Sequence, residues 1–72
     1  MQVIDGIVTI VQESRFQLVD DRGVAHLMTL GHGSMAESEQ LQGLVAQQSR
    51  VRVRCSEQRN VIGFVAHSVA RV

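Results

Sequence analysis

Apolar and polar positions alternate along much of this chain, and the places where the alternation breaks mark its turns. From Val3 to Val11 the run VIDGIVTIV is dense in β-branched residues and broken only by Asp5 and Gly6, which predicts a long first strand. Gly6 inside it suits a bulge or a sharp bend, of the kind a strand needs when it curls to serve both ends of a small barrel. Gln12 to Ser14 make a turn, and RFQLVD follows as a second strand with Phe16 and Leu18 on one face. DDRG then supplies a hairpin turn in which Gly23 takes the left-handed conformation. The third strand is VAHLMTL, and its register has two solutions. With Asp20 opposite Val24, Leu18 faces His26 and Phe16 faces Met28; a slip of one residue turns Ala25 and Leu27 inward instead.

After GHG the period lengthens. SMAESEQLQGLVAQQ has no β-branched residue before Val45 and spaces Leu41, Leu44 and Val45 at three and four residues, so a short amphipathic helix is expected. Ser34 with Glu37 three residues on fits a capping box, and the early glutamates suit the positive end of the helix dipole. RVRVRC returns to period two as a fourth strand, with Val51, Val53 and Cys55 inward and three arginines outward. SEQRN turns, and VIGFVAHSVARV is a long fifth strand. Three strands, one helix and two strands, with a glycine-bent first strand, predict an all-β protein: a five-stranded oligonucleotide/oligosaccharide-binding (OB) barrel of Greek-key topology with its helix between strands three and four. An Sm-like or SH3-like barrel is the competing architecture, but the Sm class carries its helix before the first strand.

Length changes the picture by limiting it. Residues 1–72 make a single domain with no room for a catalytic domain beside it. A chain of this size buries only about 60% of the surface it exposes unfolded, so core stability is modest, about 3 to 5 kcal/mol. Its one cysteine, Cys55, forms no internal disulfide, which fits a reducing, cytoplasmic setting. The N-terminal stretch has Asp5 and no basic region, and no apolar run is long enough to span a bilayer. Neither a targeting signal nor a membrane role is expected.

The formal net charge is zero, which argues against a strongly basic nucleic-acid binder. The distribution is uneven, however. Residues 1–39 hold two arginines and six acids, whereas residues 40–72 hold five arginines and one acid, so the fold has the means for a positive face. All seven basic residues are arginine, the side chain suited to bidentate recognition of phosphate and carboxylate, although an arginine-rich codon bias produces the same composition.

Along most of the chain, GIV, RFQLVDDRG, RVRVRC and VIGFV resemble bacterial translation initiation factor one and its small OB-fold relatives, through Gly6, Val8, Phe16, Leu18, Gly23, Val51 and Val53. These are barrel-forming positions, and the resemblance implies a fold rather than a function. The size is also similar to that of cold-shock domains. Those stack bases on two aromatic-rich strand motifs, and no such run stands here: the aromatic residues are Phe16 and Phe64, both in apolar strand contexts. Single-strand binding normally draws about 1 to 3 kcal/mol from each stacked base. His26 is the candidate substitute ring, framed by Arg15, Gln17 and Thr29 if the second register holds.

Other chemistry is thin. His26, His32, Cys55 and His67 lack the paired spacing that pre-organises zinc, and no metal or cofactor is expected. GHGS, residues 31–34, is too short for a phosphate-binding loop and lacks its lysine; Gly31 and Gly33 with Ser34 read as a strand-to-helix turn. Ser34 beside His32 has no recognisable third member or oxyanion hole, so no enzyme is expected. Arg50, Arg52 and Arg54, extended by Arg59, are either a phosphate-tracking stripe or a solvated face that blocks edge pairing and engages Glu13, Glu57 or the hairpin acids. The resulting expectation is a non-enzymatic binding module that takes single-stranded nucleic acid, RNA above all, weakly, through Arg15, Gln17, His26, Arg50, Arg52, Arg54 and Arg59. The alternative is a module that docks a protein partner or itself, without nucleic-acid affinity.

Overall fold

The computed structural model of the chain describes residues 2–31, 38–58 and 63–72. These form strands β1 (Gln2–Gln12), β2 (Arg15–Asp20) and β3 (Ala25–Leu30), helix α1 (Ser38–Gln47), and strands β4 (Arg50–Glu57) and β5 (Phe64–Arg71). The strands close into a barrel in the order β1-β2-β3-β5-β4, with β4 returning to β1. All pairings are antiparallel except β3 with β5. This is the expected OB-like barrel, with its short helix between β3 and β4.

β1 holds the closure together because it serves two neighbours. Its first half pairs with β4 and its second with β2, and Gly6 and Ile7 take part in both ladders. A Cβ on Gly6 would drive into the backbone carbonyl of Val19, so the absent side chain is what lets β2 approach. Of the bulge or bend expected at Gly6, the bulge lies instead at Thr9, where the register with β2 shifts between Val8 and Ile10. That extra residue reverses the alternation: Val8 is buried, Ile10 is exposed and Val11 turns back toward the core.

The β2–β3 hairpin adopts the first of the two registers. Leu18 pairs with His26 and Phe16 with Met28, which buries Met28 and leaves Leu27 outside. Asp20 fixes that choice locally. Its N–H donates to the Val24 carbonyl at 2.9 Å, and the Gly23 N–H donates to the Asp20 carbonyl at 3.0 Å. Gly23 takes the expected left-handed conformation at φ 84°.

The core is built from every strand: Val8 from β1, Phe16 and Leu18 from β2, Met28 from β3, Val51, Val53 and Cys55 from β4, and Ala66 and Val69 from β5. Burying one such aliphatic side chain contributes about 1.5 to 3 kcal/mol. Helix α1 packs on β1 and adds Leu41 and Leu44, with Val45 half-buried beside them. It ends in a Schellman turn, in which the Ser49 N–H donates to Leu44 and the Gln48 N–H to Val45. Gln48 stands at φ 52° where glycine is usual. The Ser34 cap, His32 and the start of the predicted fifth strand at Val61 lie outside the described residues. No helix among the described residues is long and apolar enough to cross a membrane.

Candidate functional site

The arginine stripe forms as the alternation requires. Arg50, Arg52 and Arg54 are exposed while Val51, Val53 and Cys55 are fully buried. Two of the three guanidiniums are already occupied. Arg52 Nε and Nη2 donate to the two carboxylate oxygens of Asp5 at 3.0 and 3.1 Å. Arg50 Nε and Nη2 do the same to Asp21 at 3.2 and 2.6 Å. Asp21 is one of the hairpin acids expected as a partner; Asp5 was not foreseen, although it sits directly opposite Arg52 in the β1–β4 ladder. Neither Arg54 nor Arg15 forms an ion pair among the described residues. Arg59 lies outside them.

His26 is not placed as a stacking ring beside Arg15 and Gln17. In the observed register it shares the inward parity of Leu18, while Arg15, Gln17 and Thr29 belong to the opposite face of the sheet. Its Nε2 lies 2.9 Å from Asp20 Oδ2. Its ring meets Phe64 edge-on, with centroids 5.8 Å apart. Phe16 is buried as expected, and Phe64 is half-buried against the core.

Five of the predicted residues line two open grooves, and Arg50 lines neither. The first, about 520 Å³, holds Arg15 and Gln17 with Ile10, Leu27 and Thr29, and reaches Gln58 and Gly63 at the end of the barrel where β4 leads to β5. Its floor is a single cross-strand row. Ile10 pairs with Gln17 across β1 and β2, and Gln17 pairs with Leu27 across β2 and β3. Ile10 is 58% and Leu27 59% exposed. Thr9, the bulged residue, donates its hydroxyl to Gln17 Oε1 at 3.2 Å, which steadies the amide between the two aliphatic side chains. Arg15 supplies the only charge among the described residues that line this groove.

The second groove, about 630 Å³, holds His26, Arg52 and Arg54 together with Val3, Ile4, Arg22 and three aspartates, Asp5, Asp20 and Asp21. Sequence reading missed Ile10 as a surface feature, because the bulge at Thr9 exposes it, and it left Leu27 open between two registers, of which the observed one exposes it. Ser56 Oγ and His67 Nε2 make a contact of 2.8 Å, but neither residue lines either groove. Among the described residues there is no group of three or more His, Cys, Asp or Glu side chains placed to hold a metal ion. Comparison with known proteins gives no match to a family model, a curated protein or a solved structure.

Proposed function

We propose that the chain is a non-enzymatic docking module of the bacterial cytoplasm that holds a protein partner on the outer face of β1, β2 and β3. The occupant is an extended segment presenting an aliphatic side chain beside a carboxylate. The observation that carries this reading is the exposed Ile10–Gln17–Leu27 row, with Arg15 as the one cation, and no acid, among the described residues that line the groove. Covering the exposed parts of Ile10 and Leu27 contributes about 1 to 2 kcal/mol each. An exposed arginine–carboxylate pair contributes about 0.2 to 1 kcal/mol, so the aliphatic row supplies the affinity and Arg15 the orientation. OB barrels bind on this face, between the loops that follow β1 and β4. The cytoplasmic assignment rests on the lone thiol, the bacterial one on the resemblance to initiation factor one.

Single-stranded RNA is the weaker reading. The chain has no Trp or Tyr, Phe16 is buried, and Asp5 and Asp21 neutralise two of the three stripe arginines. The test is to pan a displayed library of random peptides against the protein and map the winners by amide NMR, with a mixed-sequence single-stranded RNA titrated in parallel. Expected winners carry an aliphatic residue next to Asp or Glu, shift the Ile10, Gln17, Leu27 and Thr29 amides, and bind about tenfold more weakly to Leu27→Ser and about two- to fivefold more weakly to Arg15→Gln. Enrichment that ignores Leu27, or RNA shifts at Arg50, Arg52 and Arg54 that persist at physiological salt, would overturn the proposal.

A further inference from the structure

The second groove is chemically unlike the first, because its hydrogen-bonding capacity is unevenly spent. Each of its three carboxylates is already engaged. Asp5 receives both N–H groups of Arg52, and Asp21 both of Arg50. Asp20 Oδ1 accepts from the backbone N–H groups of Arg22 and Val24 at 2.9 and 3.0 Å, while Oδ2 contacts His26. The donors are not used up. Arg54 has no acid partner among the described residues. Arg22 stands 4.0 Å from Asp20, beyond hydrogen-bond reach, with its side chain 85% exposed. Arg52 has its second terminal nitrogen left over after gripping Asp5. Three guanidiniums and three carboxylates line the groove, and it is the carboxylates whose hydrogen-bonding capacity is spent. One wall is apolar, formed by Val3, which is 56% exposed, and Ile4.

We propose that this groove binds a phosphate monoester, with Arg54, Arg22 and the spare Arg52 nitrogen holding the phosphoryl oxygens and Val3 and Ile4 packing the organic group of the ester. A phosphate dianion suits this donor set because its three terminal oxygens accept from several planar guanidiniums at once, whereas a carboxylate is filled by one. The aspartates set the site's selectivity. Their charges balance those of the three arginines that line the groove, so a diffuse cloud of small anions gains little, and affinity depends on directed hydrogen bonds. The site is separate from the docking groove, shares no lining residue with it among the described residues, and stands or falls independently of it. The same phosphoryl chemistry is offered by a small metabolite ester and by the 5′-phosphate of a nucleic-acid strand.

The test follows the Arg Nε–Hε resonances of the labelled protein. Phenyl phosphate, inorganic phosphate and sodium chloride are titrated in turn at constant ionic strength. Saturable shifts at Arg22 and Arg54 are expected with phenyl phosphate, at least tenfold tighter than with inorganic phosphate, and absent with chloride. Arg54→Gln should weaken binding at least tenfold with the folded spectrum retained. Arg71→Gln, a change at a residue that bonds Gln47 away from the groove, should leave it unchanged. A non-saturating response shared with chloride, equal affinity for the two phosphates, or wild-type binding by Arg54→Gln would overturn the site. A single-stranded oligonucleotide with and without a 5′-phosphate separates the sources. Tighter binding than phenyl phosphate that needs the 5′-phosphate identifies a strand end, its absence a small ester, and both uphold the phosphoryl site.

Discussion

Arg52 and Asp5 face each other across the β4–β1 ladder as paired residues, and the guanidinium closes on the carboxylate through two parallel hydrogen bonds of 3.0 and 3.1 Å. The contact joins the two halves of the chain whose charges are opposite, 47 residues apart in sequence. Arg50, two residues earlier in β4, grips Asp21 in the β2–β3 turn in the same bidentate way. The charge asymmetry that suggests a basic face is therefore largely cancelled within the molecule.

Releasing those arginines should create the nucleic-acid affinity that the native pairing suppresses. The double variant Asp5→Asn, Asp21→Asn is expected to bind mixed-sequence single-stranded RNA with a log-affinity that falls steeply with log salt, as phosphate contacts require. The native protein should show little retention at physiological salt. Fluorescence anisotropy of labelled RNA across a salt series measures both. Equal affinity in the two proteins would mean that the ion pairs do not mask the stripe.

Acid should loosen the β2–β3 hairpin through Asp20. Hydrogen bonds from His26, Val24 and Arg22 hold its carboxyl at about 2, against an ordinary 3.8. Because the folded value lies below the unfolded one, the carboxylate stabilises the fold fully above about pH 4 and progressively loses that effect as pH falls toward 2. Asp5 is shifted in the same direction by the Arg52 hydrogen bond, so the comparison must be between variants. Denaturation midpoints from pH 7 to pH 2 should converge for the native protein and Asp20→Asn at the acid end and separate above pH 4. Parallel curves would refute the assignment.

Two glycine substitutions should act in opposite directions. Gly6→Ala forces a methyl into the Val19 backbone and should cost about 1 to 3 kcal/mol or more, since a carbonyl in a closed barrel cannot move aside as a side chain does. Gly43→Ala adds a methyl where nothing lies within 4 Å, on an exposed helical position, and should stabilise by about 0.5 to 1 kcal/mol. Urea midpoints of the two variants decide the matter; a neutral Gly6→Ala would show that β1 and β2 are not in close contact there.

Cys55 should report global unfolding. It is fully buried, and desolvation raises its thiol pKa, so the reactive thiolate is suppressed in the folded state. Modification by an aromatic disulfide reagent at neutral pH should be slow in buffer and accelerate by orders of magnitude across the denaturation midpoint. Fast labelling of the native protein would place the side chain outside the core.

The strands, the helix and the sense of RVRVRC were legible because each is written in local periodicity: Val51, Val53 and Cys55 alternate with Arg50, Arg52 and Arg54 whatever lies around them. The turn at Gly23 was legible for a similar reason, since DDRG matches the hydrogen-bonding needs of a three-residue hairpin loop. Much of the candidate surface was not. Ile10 has the same parity as Ile4, Gly6 and Val8, and period two alone turns it inward. The bulge at Thr9 reverses this by inserting one unpaired residue against β2. Leu27 was one of two readings of β3 until the hairpin register was settled.

From its own order of residues, then, the chain determined an all-β barrel with one helix, the inward and outward sides of β4, and a core drawn from every strand, because burial of alternating aliphatic positions is a local, additive demand. Only the closed barrel decided which charges meet and which apolar residues stay in water. Asp5 finds Arg52, and Asp21 finds Arg50, because β1 and the hairpin are carried around to β4. Ile10, Gln17 and Leu27 form one row because a bulge and a register are set by three strands at once.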